Sequence, residues 1–416
     1  MFQQKKKKNT AKLNQNWSLN DTNQNINPIT IKGKAKALSY LNLTAMGQQK
    51  NRGVAEVMAR GKLLHMKAGN GECSYASSST LQREVILKAK PVLEDAIKKM
   101  FNSGEFPKCF NMADLGCSSG PITLFTVSNV MKTVQRLCHE KSCKMPEFQA
   151  YLNDLPDNDF NTLFKSIPLV YQNLKDGANC FVSGMPGSFY ERLFPTKTLQ
   201  LVHSSYSLHW LSQSPEKIEN NNSIYITRTS PPQVFEAYKK QFEKDFSRFL
   251  QLRSEEVVTG GHMLITFIGR SIPDPHGYHC VHLDLLSESL IDLVHEGLIE
   301  QVELDSFNYP FYSPYKDELK KIVEMEGSCD LDNLEIFQMN WDERDNDDDI
   351  CFDAYSSGKH VAKTMRAVLE QMLVSHFQFG ESIVDYLFER YAYHLACHLL
   401  VQKGKFCNIV ISLRKK

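Results

Sequence analysis

The chain has 416 residues, 42% hydrophobic and 23% charged, with 48 Lys and Arg against 48 Asp and Glu. It is long enough for one large domain or two medium ones, and its zero net charge argues against a nucleic-acid or anionic-membrane partner. The 11 cysteines form no CxxC pair, which argues against a zinc site or a secreted disulfide scaffold and for a reducing cytoplasm. No apolar run reaches the roughly 18 residues of a membrane span.

Residues 1–57 open with Lys5 to Lys8 and continue through Asn, Gln, Lys and Thr with no lasting apolar period. This composition predicts a disordered extension, either dispensable or an organellar transit peptide. The absence of an apolar stretch after the lysines excludes a secretory signal. The folded domain is expected over 58–416.

Leu81, Val85, Leu87, Val92, Ala96, Ile97 and Met100 recur near helical spacing, so 81–101 reads as a helix that Pro91 kinks or breaks. FNMADLGCSSG follows as a strand running into a Gly-rich turn, then a helix over about 121–138. EFQAYLNDL, NCFVSGMPG and LQLVHSSYS read as further strands, 235–256 as an amphipathic helix and GGHMLITFIGR as a buried strand. After about 275 the pattern is mostly helical (281–297, 315–326, 357–375, 381–402), and KFCNIVISLRKK closes as a strand. The alternation predicts an α/β fold, a Rossmann-like, largely parallel sheet with a mostly helical cap over 275–402. The acidic stretch 342–353 is expected to be a solvated loop, since its spacing does not follow the calcium-loop pattern.

The strand ends carry the chemistry. The turn from Asp114 to Gly120 has neither the GxGxxG spacing nor a phosphate-binding Lys. Its acid and free turn amides suit a zwitterionic sulfonium such as S-adenosylmethionine (SAM), or else the glycines only serve helix packing. Asp154 ends the next strand as a ribose-binding acid or as a cap. Ser188, Phe189 and Tyr190 offer a hydroxyl and aromatic faces that suit an adenine. In SSYSLHW, Tyr206, His209 and Trp210 follow a strand end. Trp210 is there a ligand donor rather than a core aromatic, whereas His209 stays open between pocket and packing. No nucleophile elbow or catalytic dyad is present, and no residue is expected to act as general acid or base.

In LLHMKAGNGECSYA (63–76), ADLGCSSGP (113–121), LNDLPDNDFN (152–161), PGSFYERLFP (186–195), HSSYSLHWLSQSP (203–215), LDSFNYP (304–310), MRAVLE (365–370) and FCNIVISL (406–413), the chain resembles the plant SABATH methyltransferases. These are carboxyl methyltransferases for salicylate, benzoate and jasmonate, with purine N-methyltransferases as relatives. The resemblance runs over about 60–416. It implies SAM contacts at Tyr75, Cys117, Asp154, Leu155, Ser188 and Phe189, with Ser74 and Asp114 close by. It implies substrate contacts at Gln82, Tyr206, His209 and Trp210, with Met185, Met365 and Leu283 walling the acyl group. It also implies a homodimer and a magnesium site at Asn220, Asp305, Phe307 and Asn308, although methyl transfer needs no metal and Asp305 and Asn308 would equally shape a turn.

Ile122 stands where the family usually carries Asn, which would weaken SAM binding by about 0.5–1.5 kcal/mol. Leu283 stands where the salicylate and jasmonate enzymes carry Trp, which predicts a roomier pocket. The leading expectation is methyl-ester formation on a small benzoate- or salicylate-like acid. Jasmonate is the near alternative, a purine N-methyltransferase or a non-catalytic SAM-binding protein the more distant ones.

Overall fold

A computed structural model describes residues 66–416 except 70, 72–73, 103–106, 174–178, 216–219, 221, 228, 275–279 and 346–351. The expected N-terminal extension lies outside the described residues. Seven strands form one sheet: β1 (Cys109–Leu115), β2 (Glu147–Asp154), β3 (Cys180–Pro186), β4 (Leu199–Ser205), β5 (Val257–Gly269), β6 (Cys329–Asn340) and β7 (Lys405–Lys415). The order is β3-β2-β1-β4-β5-β7-β6. β1 to β5 are parallel, and β7 enters antiparallel between β5 and β6.

The helices are α1 (Thr80–Asn102), α2 (Ile122–Glu140), α3 (Phe160–Asn173), α4 (Pro232–Glu256), α5 (Val281–His295), α6 (Gln301–Ser306), α7 (Lys316–Glu326), α8 (Ala354–Phe377) and α9 (Glu381–Leu399). Pro91 lies inside α1 without ending it. The α/β sheet and the helix-rich part after 275 match the reading from sequence. The pattern had missed α3, α6 and β6. β6 is an edge strand whose residues are mostly half-buried or exposed, so it lacks the apolar run of its neighbours.

Alternation along the strands divides the core in two. Met263, Ile265 and Phe267 of β5 and Ile409, Ile411 and Leu413 of β7 face one apolar cluster, built with α4, α5, α8 and α9. Phe110, Met112, Leu264 and Val410 face the other, built with α1 and α2. α4 buries Phe235, Tyr238, Phe242, Phe246 and Phe249 at helical spacing. Each such aromatic contributes about 1.5–3 kcal/mol by leaving water.

The strand order reverses beside β1, where β2 lies on one side and β4 on the other. Open α/β sheets bind ligands outside the carboxyl ends of the strands at such a point.

Candidate active site

A cavity of about 350 Å³ opens there. Each neighbouring strand end contributes: Gly116 and Ser118 after β1, Asp154 and Leu155 at β2, Ser188 and Phe189 after β3, and Ser205 to Ser207 at β4.

The turn after β1 needs its first glycine. Gly116 has φ +78°, and a Cβ there would lie 2.1 Å from Ser207 Oγ. The amides of Gly116 and Cys117 both donate to the carbonyl of Asn153 at 2.9 Å. Asn153 Nδ2 in turn donates to the carbonyls of Met185 and Gly187 at 2.7 and 2.9 Å. One buried residue, through its backbone carbonyl and its side-chain amide, thus ties three strand ends together. Asp154 accepts from the Ser118 amide at 2.7 Å and from the Leu155 amide at 2.8 Å, which aims its carboxylate along the cavity wall.

The loop after β3 is held from α4. Arg253 donates to the carbonyls of Phe189 and Glu191, both at 2.8 Å. Glu256 Oε1 accepts from the amides of Leu193 and Phe194 at 2.7 and 3.0 Å. Nothing in the sequence pattern pointed to this pair, because both residues sit in a helix that otherwise reads as ordinary and amphipathic.

Aromatic rings make up much of the remaining wall. Tyr206 and His209 have ring centroids 5.6 Å apart, His209 and Phe311 4.8 Å, and Trp210 and Tyr309 5.3 Å. Segment 309–312 is strapped to 209–211: Leu211 N donates to Pro310 O at 2.8 Å and Tyr312 N to His209 O at 2.9 Å. The LDSFNYP motif leads directly into Tyr309 and Phe311, so the signal for these walls was present but had been attached to a metal. α8 supplies Thr364, Met365 and Val368, and β7 supplies Phe406.

Gln82 of α1 reaches the same cavity and is 8% exposed. Its Oε1 is buried without a hydrogen-bond partner. Burial pushes His209 down to about 3, so the imidazole is neutral. Its Nδ1 accepts from the Ile268 amide at 3.3 Å, which leaves the proton on Nε2. Burial raises the phenols of Tyr75 and Tyr206, with Asp154 and Asp114 adding to the effect at Tyr75. Both therefore stay protonated at neutral pH. The cations on the cavity wall are Lys244 and Arg248, both exposed and one turn apart on α4.

Of the residues expected from sequence, Tyr75, Gln82, Asp154, Leu155, Ser188, Phe189, Tyr206, His209, Trp210 and Met365 come together around this cavity. The others are not on its lining. Asp114 is 5% exposed and faces the protein, accepting from the Thr123 hydroxyl and lying 2.7 Å from His203 Nδ1. Its carboxylate braces β1 against α2 and β4. Ser74 is buried with its hydroxyl 3.1 Å from that of Ser77, and Cys117 is buried with its thiol on the Ser118 carbonyl at 3.4 Å. Leu283 is 1% exposed inside the apolar core, and its neighbour His282 stands on the cavity wall instead. Helical geometry explains the exchange, since adjacent residues on α5 point about 100° apart. Met185 packs against the core, and Ile122 is buried at the start of α2 away from the cavity.

The four residues suggested for magnesium do not fit that ion. Asn220 donates to the carbonyls of Ser223 and Tyr225 and accepts from the Ser230 hydroxyl at 2.7 Å. Asp305 accepts from the Asn222 amide and from Gln301 at 3.2 and 2.9 Å. Phe307 is buried against Phe377. Asn308 Oδ1 is buried and unpartnered, yet one such oxygen and one engaged carboxylate fall well short of an octahedral oxygen shell. The group is a hydrogen-bonded clasp.

Among the described residues, Asp342, Glu343 and His360 could also converge on an ion. Asp342 is occupied by Arg344 and Ser357, and Glu343 by His360 and Thr80. This is an ion-pair network joining the start of α1 to α8. It also corrects the expectation of a solvated acidic loop at its start, since Asp342 is 5% exposed, whereas residues 346–351 lie outside the described residues.

Among the described residues, no helix is long and apolar enough to cross a membrane. The family model described as SAM dependent carboxyl methyltransferase matches residues 61–416. A Theobroma cacao protein named "Probable jasmonic acid carboxyl methyltransferase 2" is 44% identical over 369 residues, spanning 85% of this chain and 99% of its own length. The salicylate/benzoate carboxyl methyltransferase of Arabidopsis thaliana is 44% identical over 360 residues, spanning 85% of this chain and 93% of its own. The solved structure of loganic acid methyltransferase with SAH is similar at a TM-score of 0.74 and 32% identity, covering 84% of this chain and 98% of that one. With the family match extending over the whole sheet and its cavity, the chain belongs to the SAM-dependent carboxyl methyltransferases, the SABATH family.

Proposed function

We propose that the acid methylated is a small aromatic carboxylic acid of the benzoate or salicylate type. The observation that carries this reading is that Gln82, whose Oε1 is unpartnered, and the Trp210 indole line one cavity together with the rings of Tyr206, His209, Tyr309 and Phe311. A flat ring packs well against Tyr206, His209, Tyr309 and Phe311. The Arabidopsis relative's name supports the same substrate class.

Bound SAM supplies the methyl group as a sulfonium leaving-group system. The carboxylate oxygen forms the new C–O bond, the S–C bond breaks onto sulfur, and no proton moves. A carboxylic acid with a pKa near 4 is already ionised at pH 7, so no base is required. Gln82 and Trp210 act as neutral donors to the carboxylate, with the Gln82 amide turned to offer its N–H. A neutral cradle orients the oxygen without the tight pairing that an Arg would impose. Such alignment is worth up to about 7–11 kcal/mol, and the ring walls exclude the water that would otherwise hydrate the nucleophile.

In this reading Asp154 accepts from the ribose hydroxyls, Leu155, Ser188 and Phe189 enclose the adenine, and Tyr75 and Ser118 face the methionine end. His209 offers its Nε2–H or its ring face to the acid. The same reading carries a homodimer, which light scattering on the purified protein checks.

Jasmonate is the second reading, supported by the name of the Theobroma relative. Leu283 gives a longer acid no extra room, because that side chain lies in the core. Purified protein, methyl-labelled SAM and a panel of benzoate, salicylate, jasmonate, indole-acetate and xanthines decide the matter. Ester formation from benzoate or salicylate at the highest kcat/KM is expected. A clear preference for jasmonate, or methylation of a xanthine nitrogen, overturns the proposal.

A further inference from the structure

In the antiparallel pairing of β5 with β7, Ile268 lies opposite Asn408. Each is hydrogen-bonded to a residue of the cavity wall. The Ile268 amide donates to His209 Nδ1 at 3.3 Å, and Asn408 Oδ1 accepts from the Tyr206 hydroxyl. One register step of the sheet therefore anchors two neighbouring walls of the chamber.

Tyr206 needs an anchor. Its φ is +58°, a left-handed conformation that bulky residues seldom adopt. Its amide donates to Thr266 O at 2.9 Å, which fixes the backbone, and the bond to Asn408 fixes the far end of the ring. Asn408 is fully buried in the run Phe406, Cys407, Asn408, Ile409, Val410 and Ile411, where an amide is costly unless its polar atoms are used. They are used. Oδ1 takes the Tyr206 hydroxyl, and Nδ2 donates to the carbonyl of Phe406 at 3.3 Å. Phe406 is itself a wall of the cavity.

We propose that Asn408, which does not line the cavity, is a positioning residue that sets the reach of the acyl chamber. By holding the Tyr206 phenol it fixes that ring as an end wall. It also engages the hydroxyl, so the chamber meets the acid with a ring face there and not with a polar atom. Without this bond Tyr206 turns about its side-chain torsions, the chamber lengthens, and the acid meets a free hydroxyl. Short aromatic acids then lose their advantage over longer alicyclic ones. This inference rests on the aromatic-acid reading above.

The test uses Asn408→Leu, which keeps the volume and removes the acceptor, Tyr206→Phe, which removes the donor, and the double variant. Full kinetics are measured on benzoate and jasmonate, together with the KM for SAM. Either single variant is expected to raise the KM for benzoate by about 3- to 10-fold, the loss of one hydrogen bond. The benzoate-to-jasmonate preference should narrow, the KM for SAM should stay within about twofold, and the double variant should be no worse than either single one. If Asn408→Leu does not fold, Tyr206→Phe alone must show the benzoate effect. Additive losses, an unchanged preference, or a parallel loss for both acids and SAM overturns the proposal. A parent protein that esterifies benzoate but whose variants keep its preference overturns this inference alone. A parent protein that esterifies no acid of the panel overturns the substrate reading, and this inference with it.

Discussion

Arg253 and Glu256 lie one helical turn apart on α4, wholly buried, with Nε 2.7 Å from Oε2. Between them they hold the backbone at Phe189, Glu191, Leu193 and Phe194. The pair fixes the loop that carries Ser188 and Phe189 into the cavity. Removing one partner leaves a buried charge unpaired and costs about 3–5 kcal/mol. Arg253→Met and Glu256→Gln are each expected to lower the thermal midpoint and to weaken SAM binding, as read by calorimetry. A variant that loses stability yet binds SAM normally would detach the clamp from the cofactor loop.

The proposed roles of Gln82 and Trp210 are expected to separate from that of Asp154. In the proposed roles, Gln82→Ala and Trp210→Ala each delete a donor to a charged carboxylate, worth about 1.5–3 kcal/mol. A fall of about 10- to 100-fold in kcat/KM for the acid is expected, with SAM affinity little changed. Asp154→Ala is expected to do the reverse, raising the Kd for SAM while the acid is still accepted at saturating SAM. Unchanged SAM affinity in Asp154→Ala would refute its ribose role.

Burial holds His209 near 3, below the roughly 6.5 of an exposed histidine. Between those values the unfolded chain binds a proton that the folded chain does not, so stability rises with pH across the interval. The contribution is complete above about pH 6.5 and is lost as pH falls toward 3. Turnover behaves differently, because the acid is ionised and His209 neutral throughout. We expect kcat to be flat from about pH 6 to 8.5, with unfolding midpoints in His209→Gln less sensitive to pH between 4 and 6.5 than in the parent. A kcat limb with an apparent pKa near 6.5 would show instead that an imidazole titrates in the reaction.

Much of the fold was legible because its long strands are buried on both faces and its helices carry regular stripes. β5 and β7 read as continuous apolar runs. The strand ends were legible for a related reason: glycine, acid and hydroxyl residues break those runs at the one place where a ligand can approach. What was not legible depends on direction. The sequence cannot say that Asp114 turns toward Thr123 and His203, or that Leu283 faces the core while His282 faces the cavity. Burial of a charge was equally hidden. Arg253, Glu256 and Asp342 look like surface residues until long-range partners such as the Phe189 carbonyl and Ser357 are brought to them.

The clasp at Asn220 and Asp305 has its own prediction. Its oxygens already serve Ser230, Gln301 and the Asn222 amide. Extensive dialysis against EDTA should leave kcat and the unfolding midpoint unchanged, and added magnesium should not raise either. Asp305→Asn, which keeps an acceptor for Gln301, should be nearly silent in activity. Loss of turnover on chelation, restored by magnesium, would reinstate the ion.

Lys244 and Arg248 are exposed at the cavity mouth, one turn apart on α4, and neither forms an ion pair among the described residues. Glu191 stands on the same rim, and Asp245 lies beneath it, held by Ser212 and Gln241. Burial raises the Asp245 carboxyl above its usual range, against the lowering effect of its hydrogen bonds to Ser212 and Gln241. Charges at a mouth act over about a Debye length, roughly 8–10 Å at physiological salt, and bias encounter more than bound-state affinity. A Lys244→Glu, Arg248→Glu double variant should therefore lower kcat/KM for anionic acids several-fold at low ionic strength while leaving kcat intact. The difference from the parent should shrink as salt rises toward 0.5 M, where roughly 4 Å of screening length remains. A salt-independent loss would mean that the two side chains touch the bound acid or shape the rim, and do not steer.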